Sequence, residues 1–324
     1  MNKLLDKCKG VIYGQAIGDA LGLGTEFLSK SEVLKYYPNG LNNYNQIIQD
    51  AHRRRWKIGD WTDDTDQMLC ILDSLISQNR VDIIDVAKRI KQWSVNGGMG
   101  IGRLTVRTIY SKGFLDNPHA VSKAIWERTG KKAAPNGGIM RTSILGVWEY
   151  QNINKVKINA ENICKITHYD PRCVGSCVAL CVAISLLLQG ISDFEEIIKH
   201  TIKESADYDE RITEYLEMAK NLPLEAFNID GSLSPEERQI GYTLKAMGAA
   251  FWTLKNVSSY EEGILKIIHE GGDADTNGAV TGSLLGAKYG LSGISSEWID
   301  GLYDKQELDS KIDNLIKIMQ IDTK

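Results

Sequence analysis

The sequence predicts an all-α protein, and three observations carry that prediction. Apolar residues recur with a period near 3.6 along most of the chain, no segment alternates convincingly with a period of two, and the apolar stretches are parted by short breaks of Gly, Pro or Asn. With 324 residues, 43% of them hydrophobic, the chain can bury a large core. No linker divides it, so residues 1–324 read as one compact multi-helix domain. The formal charge of −4 argues against a general nucleic-acid binder, which presents a basic face.

The first helix is expected over residues 4–23 and carries Gly14, Gly18 and Gly22 at four-residue intervals. A late helix repeats the pattern with Gly278, Gly282 and Gly286. Glycine inside a helix costs about 1 kcal/mol relative to alanine. Two such stripes need a compensating reason, and the expectation is that they pack tightly, since small residues on one face let helix backbones approach closely. Asp6, Gln15 and Asp19 interrupt the apolar N-terminal stretch, which argues against a signal peptide. Gly22 and Gly24 read as a helix stop, placing Glu26 on the turn that leaves the helix. Taken alone, Glu26 reads as a surface acid.

Residues 29–60 read as irregular, with Pro38, several asparagines and the basic run His52-Arg53-Arg54-Arg55-Trp56-Lys57. That run is either a solvated loop or a rim that docks an anionic ligand. Helices follow over residues 62–78 and 81–95. Next comes Asn96-Gly97-Gly98-Met99-Gly100-Ile101-Gly102-Arg103, whose glycines free a backbone to wrap a phosphate. The spacing is not a dinucleotide fingerprint, and a plain helix connection explains it equally. The loop Ala134-Pro135-Asn136-Gly137-Gly138-Ile139-Met140-Arg141 has the same character.

Thr167-His168-Tyr169-Asp170-Pro171 leads into an apolar helix over residues 171–188. His168 reads as a structural hydrogen-bonder or as a catalytic group. Cys173, Cys177 and Cys181 share one face of that helix and read as core packing. The six cysteines lack zinc-type spacing, and reduced thiols point to the cytoplasm. The helix is too short and too broken by serine to be expected to span a membrane. Helices are further expected over residues 193–222, 236–254 and 260–269, with two closing helices over 295–321.

Two stretches carry the chemistry: Trp61-Thr62-Asp63-Asp64-Thr65-Asp66 and Gly271-Gly272-Asp273-Ala274-Asp275-Thr276-Asn277. Each gathers carboxylates and a threonine hydroxyl at the start of a helix. Capping is the ordinary explanation for one Asp or Thr in a first turn. Two clusters converging without counter-ions would repel by roughly 4 kcal/mol per close pair at 4 Å and an effective dielectric of about 20. Cations would remove that cost. Oxygen ligands with no histidine or thiolate beside them suit Mg²⁺ or Mn²⁺ better than zinc.

Together these pieces resemble the ADP-ribosylglycohydrolase family. The matching residues are Gly14-Gln15-Ala16-Ile17-Gly18-Asp19-Ala20-Leu21-Gly22 with Glu26, then Thr62-Asp63-Asp64-Thr65, Asn136-Gly137-Gly138-Ile139-Met140-Arg141, Thr167-His168 and Gly272-Asp273-Ala274-Asp275-Thr276-Asn277. Each is weak alone, but five in the family's order are specific. The resemblance implies an all-α fold with two Mg²⁺ or Mn²⁺ ions and a substrate carrying ADP-ribose on a protein side chain or a small acceptor. Thr62, Asp63 and Asp64 would hold the metals from one side, and Asp273, Asp275 and Thr276 from the other. Glu26, Asp64 and Asp273 are the implied catalytic residues. Gly98, Gly100 and Gly102 with Asn136, Gly137 and Gly138 would hold the pyrophosphate and distal ribose, with His168 near the substrate.

The implied activity is hydrolysis of the bond between ADP-ribose and an acceptor such as arginine, by a cytoplasmic monomer without nucleic-acid or membrane partners. The few residues before the first motif favour a stand-alone hydrolase. Ala274 stands where a Thr or Ser is more usual, and an extra mid-chain acid used by some members is unaligned, with Asp116 and Asp170 as candidates. Residues 29–60, with Trp56 and the arginines, are the expected determinant of the acceptor. The rival readings are hydrolysis of a small ADP-ribose conjugate, a non-catalytic binder that kept the fold, and a binuclear phosphoesterase. The last usually adds histidine ligands, which these clusters lack.

Overall fold

A computed structural model describes residues 2–232 and 239–321. In chain order the helices are α1 (Lys3–Gly22), α2 (Lys30–Tyr36), α3 (Asp63–Gln78), α4 (Ile83–Val95), α5 (Arg103–Ile109), α6 (Pro118–Arg128), α7 (Ile153–Cys164) and α8 (Pro171–Leu188). They continue with α9 (Phe194–Ser205), α10 (Glu210–Asn221), α11 (Thr243–Asn256), α12 (Tyr260–Ile268), α13 (Ala274–Tyr289), α14 (Ser296–Asp300) and α15 (Lys305–Met319). No strand occurs among the described residues; one isolated bridge pairs Pro135 with Tyr242.

The two glycine stripes meet, as their spacing predicts. A Cβ on Gly10, Gly14, Gly18 or Gly22 would fall 2.0–2.3 Å from the carbonyl oxygen of Gly286, Gly282, Gly278 or Ala274 respectively. That register is antiparallel and backbone to backbone. Both helices are buried nearly all round, so the pair forms the axis of the protein. Its geometry brings the C-terminus of α1 beside the N-terminus of α13. A short backbone ladder completes the junction: Phe27 N donates to Gly272 O at 2.6 Å and Gly272 N to Leu28 O at 2.7 Å. Gly271 and Gly272 have positive φ, and a Cβ on either would strike the carbonyl of Leu28 or Ile229, so this crossing needs glycine.

α8 packs against α7, α9, α11 and α13 with its three cysteines buried, and all six cysteines are unpaired. By length and apolarity α8 is the described helix that could cross a membrane, and it is 94% buried inside the protein. The buried apolar side chains form one connected core.

Several elements depart from the expectation. Residues 29–60 are not wholly irregular: Ser29 and Glu32 form a capping box that starts α2. α5, α6 and α7 were not individually expected; α6 and α7 begin on Asn117 and Asn152, whose side chains accept from backbone N–H groups. The helix expected over residues 236–254 begins only at Thr243. Gln239 to Tyr242 are not helical, because Asn136 N donates to Gly241 O and Thr243 N to Ala134 O, which holds this stretch extended beside Pro135. The first part of that expected helix lies outside the described residues. The basic run is solvent-facing at Arg54, Arg55 and Lys57, but Arg53 is buried and donates to the carbonyls of Leu23, Gly24 and Glu26.

Candidate functional site

At the junction of α1, α3 and α13 lies a cleft of about 510 Å³ whose floor is acidic. Glu26, Asp63, Asp64, Asp273, Asp275 and Thr276 all line it, so the two acidic clusters do meet. Donor oxygens of Glu26, Asp273 and Asp275 lie within 4.8 Å of one another.

Capping by the N-cap side chain is absent at both helices, although Asp275 Oδ1 accepts from Thr276 N at 2.8 Å in the first turn of α13. Thr62 and Asp273 are the N-cap residues of α3 and α13, and neither side chain makes a capping hydrogen bond. For α3 the task passes to Asp19 of α1, which is fully buried. Its Oδ1 accepts from Thr62 N and Oγ1, at 3.0 and 2.8 Å, and its Oδ2 from Thr65 N and Oγ1, at 3.0 and 2.7 Å. A carboxylate borrowed from another helix thus satisfies the first turn of α3 and frees Asp63 and Asp64 for the cleft. Asp66 turns the other way and accepts the indole N–H groups of Trp61 and Trp93.

Neighbouring groups hold the acids in place. Gln67 Nε2 donates to Asp63 Oδ2 at 2.8 Å, Asn136 Nδ2 to Asp273 Oδ2 at 2.7 Å, and Gln15 ties the Asp64 carbonyl to that of Met140. Asp64 Oδ1 is buried with no hydrogen-bond partner. Burial, then mutual repulsion, pushes the carboxyls of Asp63, Asp64 and Asp275 well above the carboxylate range. Burial likewise raises Asp273 to about 6, opposed by the Asn136 bond, and Asp19 to about 7, opposed by its four donors. Such a set is uncomfortable without positive charge. An orphaned buried carboxylate oxygen facing other carboxylates, in an all-oxygen cluster, fits a hard divalent cation.

The rim differs in part from expectation. Gly100 and Gly102 line the cleft; a Cβ on Gly100 would lie 2.4 Å from Asp63 Oδ1, and its φ is +88°. Gly98 lies outside the cleft lining, packed on the Trp93 ring in a second cavity with Trp56 and Trp61. Asn136, Gly137 and His168 line the cleft, whereas Gly138 is buried against Cys164 and Cys177. Thr62 is also outside the lining, its hydroxyl engaged by Asp19 and Asp64. Asp116 is exposed, and Asp170 caps α8 and pairs with Arg172; neither faces the cleft.

His168 is buried, with Nδ1 2.7 Å from Thr167 Oγ1, which accepts from Arg141 at 2.6 Å. Burial, with Arg141 nearby, pulls its pKa well below the ordinary value, so it enters as an uncharged hydrogen-bonding ring. No residue from 29–60 lines the cleft; of that stretch, expected to set the acceptor, His52 adjoins the cleft through Glu26 and Phe27. Phe27 itself lines it, 59% exposed at a φ of +64°, and Arg103 and Lys132 bring positive charge to the same lining. The sequence reading missed Asp19 as the brace of α3, Phe27 and Lys132. Asp19 was legible only as a carboxylate in an otherwise buried helix; Phe27 and Lys132 gave no signal.

Comparison with known proteins agrees with this geometry. A family model described as ADP-ribosylglycohydrolase matches residues 1–323. An ADP-ribosylarginine hydrolase of Serratia proteamaculans is 26% identical over 96% of this chain and 79% of its own length. The ADP-ribosyl-[dinitrogen reductase] glycohydrolase of Rhodospirillum rubrum is 23% identical over 98% of each chain. A solved structure titled ADP-ribosylglycohydrolase-related protein complex superposes with a TM-score of 0.74 at 25% identity, covering 98% of this chain and 99% of that one.

Proposed function

The chain belongs to the ADP-ribosylglycohydrolase family and is a glycosidic-bond hydrolase; from that premise we propose that it releases free ADP-ribose from arginine on a modified protein. The observation that carries the reading is the convergence of Glu26, Asp63, Asp64, Asp273 and Asp275 on the floor of one cleft. The arginine linkage is supported by the similar protein from Serratia proteamaculans named for it. We assign the acidic floor to two Mg²⁺ or Mn²⁺ ions, held by Asp63 and Asp64 from α3 and by Asp273, Asp275 and Thr276 from α13. Bound there, such ions supply Lewis acidity that orients sugar hydroxyls and acidifies a water.

The protein's own groups do the rest. The reaction breaks the C1″–N bond of the ribose through an oxocarbenium-like state, and water adds its oxygen to C1″. Glu26, whose carboxylate lies within 4.8 Å of those of Asp273 and Asp275, orients that water and takes its proton in this reading. The proton taken from water passes from Glu26 to the departing nitrogen, so arginine leaves as its guanidinium and the Glu26 carboxylate is regenerated. Asn136 keeps Asp273 aimed inward. The bare backbones at Gly100 and Gly137 let phosphate approach closely, and Arg103 and Lys132 offset its charge. His168 contributes a hydrogen bond without charge. The unpaired cysteines, all but Cys70 buried, fit action in a reducing compartment such as the cytoplasm.

The test is ADP-ribose release from arginine-linked and serine-linked conjugates, with Mg²⁺ or Mn²⁺ and with chelator, for wild type and Asp273→Asn. Release from the arginine linkage that needs metal and vanishes in the variant is expected. Release from the serine linkage alone would replace the acceptor assignment, and no release from a folded protein that binds ADP-ribose would move the reading to a binding role.

A further inference from the structure

The basic run beside the cleft holds a histidine that the catalytic reading has not used. His52 sits against Glu26, with Nε2 2.6 Å from Glu26 Oε2, and its Nδ1 lies 2.6 Å from Arg55 Nη2. A guanidinium can only donate, so Nδ1 accepts. That leaves the ring hydrogen on Nε2, where it points at the carboxylate. One bond decides the sense of the other.

The surroundings hold this arrangement still. The His52 ring packs against Phe27, with centroids 5.1 Å apart, and meets Trp56 edge-on at 5.4 Å. Arg55 lies over the Trp56 ring at 4.5 Å and donates its Nε to the His52 carbonyl at 3.0 Å. Next door, buried Arg53 donates to the Glu26 carbonyl at 2.6 Å. Both the backbone and the side chain of Glu26 are therefore gripped from the 52–56 turn.

Glu26 needs such a grip. Its carboxylate faces those of Asp273 and Asp275, its stem has three rotatable bonds, and like charges would swing it out of the cleft. We propose that His52 is a positioning residue for Glu26: in the tautomer imposed by Arg55 it anchors Oε2 and so presents Oε1 to the cation site and the attacking water. The proposal rests on the hydrolase reading above. It also gives the basic run a role other than docking an anion, since two of its arginines are spent on orienting one glutamate.

The experiment compares His52→Ala, His52→Gln and Arg55→Met with wild type by three readouts: Mn²⁺ affinity of the substrate-free protein by calorimetry, kcat and KM for ADP-ribose release, and the thermal midpoint. A glutamine amide can donate to Glu26; alanine cannot. Losing a hydrogen bond to a charged group predicts a kcat about ten- to hundredfold lower in His52→Ala, with Mn²⁺ affinity down about tenfold and KM little changed. His52→Gln recovers most of both, and Arg55→Met falls between. Alanine and glutamine variants that match each other in kcat and in Mn²⁺ affinity, whether both intact or both impaired, overturn the proposal. If wild type releases no ADP-ribose at all, the hydrolase reading fails, and the Mn²⁺ comparison still decides the role of His52.

Discussion

Gly18 and Gly278 are in direct backbone contact: a Cβ on Gly18 would fall 2.0 Å from the Gly278 carbonyl oxygen, and one on Gly278 would fall 2.2 Å from that of Gly18. Neither neighbour is a flexible side chain that could give way. The two helices would have to separate to admit a methyl group, and the acids that they carry would separate with them.

Gly18→Ala is therefore expected to destabilise the protein by about 3 kcal/mol or more, the upper end of the overpacking range, despite alanine's better helix propensity. Thermal unfolding of Gly18→Ala beside Ala20→Gly, a substitution on the same helix that adds no atoms, checks this. Equal midpoints for wild type and Gly18→Ala would contradict the packing described.

Asp273→Asn should separate stability from activity. It removes one of several mutually repelling buried carboxylates, so the chelator-treated variant is expected to melt above chelator-treated wild type at pH 8. Activity should fall by more than the ten- to hundredfold typical of residues one step removed from a metal. Melting curves in EDTA and initial rates in Mg²⁺ read the two effects independently.

The pH dependence of the metal-free protein follows from Asp19 and Asp273, raised to about 7 and about 6 from an ordinary value near 4. Between those limits the folded state keeps protons that the unfolded chain has released, so stability falls as pH rises. The decline starts near pH 4 and is carried past pH 7 by Asp63, Asp64 and Asp275, which burial raises well above the carboxylate range, while His168 and His269, pulled down by burial, oppose it. Acids held low by hydrogen bonds, such as Glu32 and Asp82, act at lower pH. Saturating Mg²⁺ should flatten the slope, because it binds the deprotonated ligands. A melting point in EDTA that rises from pH 5 to 8 would refute this account.

Thr167→Val should leave both the buried Arg141 Nη2 and His168 Nδ1 without their shared partner. The expected loss is about 1–3 kcal/mol of stability, with a raised KM as His168 loosens. Thr167→Ser keeps the hydroxyl and should restore both. Failure of serine to do so would show that the methyl group, and not the hydroxyl, was what mattered.

The sequence carried the axis of the fold and the floor of the site because both depend on residue types with narrow uses. Glycine at four-residue spacing has little reason to exist in a helix except close packing, and paired carboxylates flanked by threonine have few uses without a cation. Where one residue type serves many purposes, the sequence said less. Asp19 looks like any helix acid until Thr62 and Thr65 are seen around it. Gly98 and Gly100 are two residues apart in one glycine-rich loop, yet one packs on Trp93 and the other on Asp63; that difference is decided by the tertiary position of the loop. The basic run read as solvent-facing because charge density predicts exposure on average, and Arg53 is the exception because three carbonyl oxygens near it need a donor.

The helix pairing at the axis also sets a schedule. α1 is buried on nearly every side, but the partner that covers it begins about 250 residues later in the chain. At roughly 5–20 residues per second of synthesis, the first helix waits on the order of 10–50 s before α13 leaves the ribosome. Through that interval its apolar surface has no native cover, and the cleft carboxylates of α3 have no counterpart. The axis of the fold can therefore close only after most of the chain has been made, and until then α1 offers an apolar surface to any chaperone that attends the emerging chain.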